Sequence, residues 1–289
     1  MKSILISIVN WNKSECTQKC LESIDKLIHD ERFKFQVVVI DNGSLSDDRK
    51  KLEEFTRQFV NHKLELVLVD TNLGFTGGHN ISIRKACELK YDYIWLLNND
   101  AICSPDCLSE LFTTMGFSSD TAAVSPLIVR MNFPSIIDFS VAVYNWNTYR
   151  SETPDNKSVE DVERFQHVHK NVWAIGTALL LKVECFEKLI GLDDDFFAYY
   201  EDNDLGQRII DSGWRTRISV NAVIQHEAYD GNMYLRPPYW FYLMTRNHLK
   251  FVFKNVVLHR RIYFAIKALD ECLFHACVLW GSKKPKETF

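Results

Sequence analysis

Near-continuous apolar runs alternate with helical patterns through the first half of the chain, and this alternation narrows the possible folds more than any other feature. Runs at 4–9, 36–40, 64–69, 93–97 and 122–127 are separated by helical stretches near 14–28, 47–60 and 78–89, and by one opened by Ser104-Pro105-Asp106. A capping residue followed by proline is a helix start signal. Strands that are apolar at every position are buried on both faces, so the pattern predicts βαβ units and a mostly parallel central sheet with helices on both faces, an α/β fold. With 289 residues, 46% of them hydrophobic and 13% aromatic, the chain can bury a large core.

The second half changes character. Residues 136–171 mix aromatics, Asn and charges, and 151–158 reads as an exposed loop over the site. An apolar strand is expected over 171–182 around Gly176, a loop over 191–197, a helix over 201–212 ended by Gly213, and a strand over 215–225 leading to His226. After Pro237-Pro238 the pattern turns helical, over 239–254 and 258–280. The expected organisation is one domain over 1–236, with a nucleotide-binding half (1–130) and an acceptor-binding half (131–236), followed by a C-terminal helical extension over 237–289.

Several classes are disfavoured. The formal net charge of −4 comes from interspersed charges, which argues against nucleic-acid binding. Asn10 and Asn12 interrupt the N-terminal apolar run, which therefore reads as a first strand and not as a signal peptide. The eight cysteines include no Cys-x-x-Cys pair, which fits reduced thiols in a cytosolic protein. Cys16/Cys20 and Cys103/Cys107 have helical spacing and fit core packing better than zinc. Lys267, Asp270, Glu271 and His275 break the last apolar segment, so it is no membrane span. From Lys250 onward the chain is locally basic through Lys283, Lys284 and Lys286, and the segment can either lie along an anionic membrane surface or dock on the domain.

The candidate chemistry sits at strand ends, where open α/β sheets bind ligands. The fourth run ends in Asn98-Asn99-Asp100, a carboxylate suited to a divalent cation over a diphosphate. The second ends in Asp41-Asn42-Gly43-Ser44; Asp41 could accept from a nucleobase or ribose, or form an Asx turn. The third enters Asn72-Leu73-Gly74-Phe75-Thr76-Gly77-Gly78-His79-Asn80, whose glycines allow close backbone approach at a helix start that favours anions. A second acidic cluster, Glu201-Asp202-Asn203-Asp204, can supply a base, although acidic residues also suit a helix's first turn.

Val9-Asn10-Trp11-Asn12, Asp41-Asn42-Gly43-Ser44, Asn72-Leu73-Gly74-Phe75, Leu97-Asn98-Asn99-Asp100, the run from Phe197 to Leu205, Gly213-Trp214-Arg215, His226 and Arg246-Asn247 occur in the order expected of family 2 glycosyltransferases. Over roughly residues 4–254 the chain resembles that family, its rhamnosyltransferase-like branch in particular. The resemblance implies a GT-A fold, a nucleotide-sugar donor and inversion by direct displacement, with Mg²⁺ or Mn²⁺ as cofactor. It implies Asp202 as catalytic base, and Asp100 and His226 as metal ligands. It places Asn10, Asp41, Asn72, Gly74, Gly78, Asn80, Asn98, Asn99 and Arg246 at the donor. Trp173, Gly176 and Glu201 fall at the acceptor, although Trp173 also fits a core position. Asn98 departs from the family's Asp-x-Asp element, which removes one carboxylate.

The implied activity is a metal-dependent inverting hexosyltransferase for bacterial surface polysaccharide, with dTDP-L-rhamnose the preferred donor and UDP-glucose or UDP-galactose alternatives. Its acceptor would be a lipid-diphosphate-linked or free glycan, and its place the inner face of the plasma membrane as a peripheral protein, with a homodimer also compatible. A nucleotide-binding module without transfer activity is the rival that Asn98 keeps open. A nucleotidyltransferase is disfavoured, because Asn10-Trp11-Asn12-Lys13 stands where those enzymes carry a Gly-rich basic loop.

Overall fold

A computed structural model describes residues 1–59, 63–154, 158–189, 191–227 and 236–281. The expectations for 155–157 and for Lys283, Lys284 and Lys286 lie outside the described residues. In chain order the first half comprises β1 (Lys2–Asn10), α1 (Ser14–Ile24), β2 (Phe33–Asn42), α2 (Ser46–Gln58), β3 (Leu64–Val69), α3 (Gly74–Glu88), β4 (Tyr93–Asn98), β5 (Ala101–Cys103), α4 (Cys107–Met115) and β6 (Thr121–Arg130). The second half comprises β7 (Phe133–Phe139), β8 (Val143–Asn145), β9 (Arg150–Glu152), α5 (Val159–Val168), β10 (Ala178–Lys182), α6 (Val183–Leu189), α7 (Glu201–Asp211), β11 (Arg215–His226), α8 (Pro238–Asn255) and α9 (Leu258–Gly281).

The main sheet has the order β3-β2-β1-β4-β10-β6-β11-β5, with β7 paired to β6. β1, β2, β3, β4, β6 and β11 share one direction, while β5, β7 and β10 run against it. The predicted mostly parallel α/β sheet is therefore present, with a reversed strand at its centre. Because side chains alternate across a strand, β1 feeds two cores. Ile4, Ile6 and Ile8 pack with Cys20, Leu21 and Leu108 on one face, while Leu5 faces the other with Ile83 and Ala86 of α3. Full burial of such side chains stabilises by about 1.5–3 kcal/mol each, which is why the strands read as unbroken apolar runs. On the α3 side Ser7 meets His79 across 2.8 Å, and burial pushes that ring down to about 3, so it is neutral.

Three expectations are corrected. The single strand over 171–182 is instead an isolated bridge from Trp173 to Ala142, an irregular turn, and then β10 from Ala178. The turn at Gly176 breaks the ladder because its N–H is directed at a side chain on α7 and not at a neighbouring strand. The helix expected from Gly78 begins at Gly74, whose φ of +74° turns the chain into it. The loop expected over 151–158 contains part of β9, and the compositionally mixed stretch over 136–171 holds the end of β7, β8 and α5.

α8 and α9 form a third small core over the second half. Phe251, Val252, Phe264 and Ala268 pack there with Tyr149 and Phe196.

Candidate active site

The carboxyl ends of β1, β2 and β4 lie side by side. Asn10 is in register with Asp41, and Val9 with Asn98. Asn10 is fully buried, and its amide donates to Asp41 Oδ1 (3.2 Å), Ser44 Oγ (3.1 Å) and Asp48 Oδ2 (3.0 Å). Asp41 is also fully buried, and its other oxygen takes Arg49 Nε at 2.8 Å. A buried carboxylate needs this pairing, since leaving it unpaired costs several kcal/mol. Asp41 thus ties α2 to the edge, and Asn99 ties β4 to α1 by donating to Thr17 Oγ1 at 3.0 Å.

Asp100 follows the turn at the end of β4 and precedes β5. Ala101 of β5 pairs with His226, the last residue of β11, so a connection between remote strands brings the two side chains together. Asp100 Oδ1 lies 3.2 Å from His226 Nε2, and Oδ2 lies 3.7 Å from Lys13 Nζ. Burial opposes the Asp100 charge, but the histidine and the lysine outweigh it and hold the carboxyl below its ordinary value. The 3.2 Å contact lacks hydrogen-bond alignment, and among the described residues Oδ1 is a buried acceptor without a hydrogen-bond partner. An ionised oxygen and an imidazole nitrogen facing each other in this way fit a divalent cation that completes its shell with donor oxygens and water. No cluster of three or more such side chains occurs among the described residues.

Asp202 reaches the same edge by a short relay. The Asn98 N–H donates to Thr177 O at 2.8 Å, and the neighbouring Gly176 N–H donates to Asp202 Oδ2 at 3.2 Å. The Asn203 N–H holds the other oxygen at 2.8 Å. Burial pushes Asp202 up to about 6, against the pull of these backbone N–H groups. Glu201 is buried with Oε2 unpartnered among the described residues, and burial together with the Asp202 charge pushes it well above the carboxylate range. Two adjacent carboxyls with separated proton affinities can divide acid and base roles.

The chain before Asp202 is strained. Phe197, Tyr199 and Tyr200 all have positive φ, at 65°, 69° and 69°. α3 and α8 hold this loop from two sides. Phe197 O accepts from Thr76 N at 3.1 Å, and a Cβ on Gly74 would lie 2.4 Å from the same oxygen. From α8, Arg246 donates to Phe196 O (2.8 Å) and Asp195 O (3.2 Å), while Asn247 donates to the carbonyls of Phe196, Ala198 and Tyr199.

The structure thus brings Asn10, Asp41, Asn72, Gly74, Gly78, Asn98, Asn99, Asp100 and His226 to one edge, and Gly176, Glu201 and Asp202 beside it. Gly78 packs α3 so close to β1 that an added Cβ would meet Val9 at 2.9 Å. Asn80 is turned elsewhere: its amide bonds Leu192 O, Leu192 N and Asp194 Oδ1. Arg246 is engaged on loop carbonyls, and Trp173 is mostly buried against Phe139 and Gly206. Asn247 as loop clamp was not legible as such, although it stands next to Arg246 in the motif already noted.

The sequence model of the family described as Glycosyl transferase family 2 matches residues 5–173. Among curated proteins, an uncharacterized protein of Mycobacterium tuberculosis is 29% identical over 158 residues, 54% of each chain, so this chain spans about half the length of that relative. Rhamnosyltransferase WbbL of Escherichia coli is 26% identical over 274 residues, covering 89% of this chain and 94% of its own. Among solved structures, a mannosyltransferase from Pyrobaculum calidifontis in complex with GDP-Man and Mn²⁺ superposes with a TM-score of 0.64 at 16% identity, covering 96% of this chain and 73% of the other.

Proposed function

This chain belongs to glycosyltransferase family 2 and has its GT-A fold, and on that premise we propose that it is a metal-dependent, inverting hexosyltransferase. Its donor is a nucleotide sugar, dTDP-L-rhamnose in the preferred reading, and its acceptor a lipid-diphosphate-linked glycan of a bacterial surface polysaccharide. One observation carries the proposal: the relay through Thr177 and Gly176 connects the edge that carries Asp100 and His226 to the carboxylate of Asp202. The likeness to WbbL supports the rhamnosyl donor, and the Mn²⁺ and GDP-Man of the superposed mannosyltransferase support the cation and the donor class.

In this reading Asp100 and His226 would hold Mg²⁺ or Mn²⁺, which would supply positive charge against the donor diphosphate. Asn72 and Asn98 line the donor, while Asn10, Asp41 and Asn99 fix the strand ends that present it. Asp202 accepts the acceptor hydroxyl's proton as the new C–O bond forms, because a hydroxyl is a poor nucleophile until that proton is removed. Direct attack from the side of Asp202 inverts the anomeric carbon. Glu201, whose carboxyl is pushed upward by burial and the Asp202 charge, flanks the acceptor side of Asp202.

The test is turnover of nucleotide sugars with and without Mn²⁺. Slow hydrolysis of one donor, stimulated by Mn²⁺, is expected, and Asp100→Ala should raise the half-saturating Mn²⁺ concentration at least tenfold, since one of two protein ligands is gone. Absence of turnover with every donor would favour a binding module instead.

We also place the protein on the inner face of the plasma membrane through α9. No helix among the described residues is long and apolar enough to cross a membrane. Along α9, however, Leu258, Ile262, Ile266, Leu269 and Leu273 are each at least 60% exposed and share one side, while Phe264 and Ala268 face the domain. Arg260, Arg261 and Lys267 lie on the same helix. The expected result is salt-sensitive sedimentation with vesicles containing phosphatidylglycerol, reduced more than tenfold in Ile266→Asp/Leu269→Asp, since each aliphatic side chain contributes about 1.5–3 kcal/mol when buried. Failure of the wild type to sediment, or self-association through the same stripe, would refute this placement.

A further inference from the structure

A cavity of about 440 Å³ opens beside α7, walled by β8, the segment after α5, α7 and α8. Its volume is typical of small-molecule sites, yet none of Asp100, Asp202 and His226 is among its lining residues. It is therefore separate from the reacting edge, and neither the donor nor the cation of the proposed reaction occupies it.

The walls define what it can hold. On one side Trp146 stacks on Phe251 (25° between planes, centroids 5.5 Å apart), and Tyr144 meets Trp146 edge-on at 4.6 Å. The rings brace one another, so this wall is rigid. The lining also holds neutral amides: Asn171, and Asn203 and Gln207 one helical turn apart on α7. Among the described residues, Lys170 and His169 supply the only titratable lining groups besides Tyr144, and none of the lining residues is an arginine. Aromatic rings together with amide donors and acceptors match a pyranose, whose C–H face packs on rings while its hydroxyls pair with amides.

The cavity is mechanically joined to the reacting carboxylate. Asn203 lines it and directly follows Asp202, and Trp173 lines it three residues before Gly176, which holds Asp202. α7 packs on that segment so closely that a Cβ on Gly206 would lie 2.4 Å from Trp173 Cβ. A sugar held in the cavity is thus positioned with respect to Asp202 by two elements that cannot slide past each other.

We propose that this cavity is a second acceptor subsite, holding a sugar unit other than the one whose hydroxyl reacts, so that the acceptor is an oligosaccharide and not a monosaccharide. The inference rests on the transferase reading for the word acceptor, but sugar binding itself is tested apart from turnover. The experiment is saturation-transfer NMR on the full chain with methyl α-L-rhamnopyranoside, methyl β-D-glucopyranoside, methyl N-acetyl-β-D-glucosaminide and disaccharides built from them.

At least one disaccharide should give saturable signals, weakened on the order of tenfold in Trp146→Ala, the effect of losing one stacked aromatic face. Gln207→Ala, a helix-surface change that tests the amide lining, should weaken them several-fold. Asp202→Asn should retain them. No saturable signal from any of these sugars, wild-type binding in both cavity variants, or loss of signal in Asp202→Asn alone would each overturn the subsite. Failure of the transferase reading would appear elsewhere, as lack of nucleotide-sugar turnover by the wild type.

Discussion

Asp202→Asn is expected to lower kcat by roughly 10²–10⁴-fold while leaving donor affinity nearly intact, as for loss of a general base. Asparagine keeps the shape and can still accept from the N–H of Gly176 or Asn203, but it cannot take a proton. The pH profile gives an independent check. The carboxylate is the active form, and burial places its pKa at about 6, so wild-type kcat should fall tenfold per pH unit below about 6 and level off above it. The variant should lack that limb. Glu201 does not share the role, because burial and the Asp202 charge push its carboxyl well above the carboxylate range.

Stability separates chemistry from damage. Burial raises the folded pKa of Asp202 from an ordinary 3.8 to about 6, so the folded state binds its proton more tightly and loses stability as pH rises through that window. Above about pH 6 the ionised carboxylate is a cost that asparagine does not carry. The variant's Tm at pH 8 should therefore equal or exceed that of the wild type. An unchanged kcat, or a collapse in Tm together with lost activity, would remove Asp202 from the mechanism proposed.

The parts of the fold that could be read from the sequence are those whose signals are local. A strand buried on both faces declares itself by an unbroken apolar run, as at Ile4–Ile8, and a strand-end motif sits beside its strand, as Asn98-Asn99-Asp100 does. What could not be read depends on partners far along the chain. Gly176 interrupts an apolar run because its N–H serves Asp202, 26 residues away. Asn80 looks like a loop-lining residue until Leu192 and Asp194, more than a hundred residues later, claim its amide. Arg246 has the fork expected of a phosphate ligand, yet the carbonyls exposed by the strained loop at Phe196 compete for it. α5 was legible in principle: Ser158 caps it by accepting from the Asp161 N–H, a Ser-x-x-Asp start signal.

The loop before Asp202 makes the second large effect predictable. Three non-glycine residues with positive φ, Phe197, Tyr199 and Tyr200, each store on the order of 1–3 kcal/mol of strain. Such a loop persists only where its surroundings over-determine it, and here Asn247 does so from a fully buried position on α8. Its amide donates to the carbonyls of Phe196 (2.9 Å), Ala198 (2.7 Å) and Tyr199 (2.7 Å), and its own carbonyl accepts from Arg246 Nε at 2.9 Å. Asn247→Ala removes this donor from the carbonyls of Ala198 and Tyr199, whereas Phe196 O keeps Arg246 and the Ala198 N–H; the cost is about 1–3 kcal/mol for each group left unsatisfied. Partial relaxation of the loop would recover some of this, so a destabilisation of about 2–4 kcal/mol is expected in urea unfolding. Relaxation also moves Asp202, which directly follows Glu201 at the loop's end, so kcat should fall at least tenfold at pH 8 even under conditions where the variant is fully folded. Arg246→Lys keeps the charge but not the fork and should fall between the two. Wild-type unfolding and wild-type kcat in Asn247→Ala would mean that the loop holds its conformation unaided, and that α8 is packing alone.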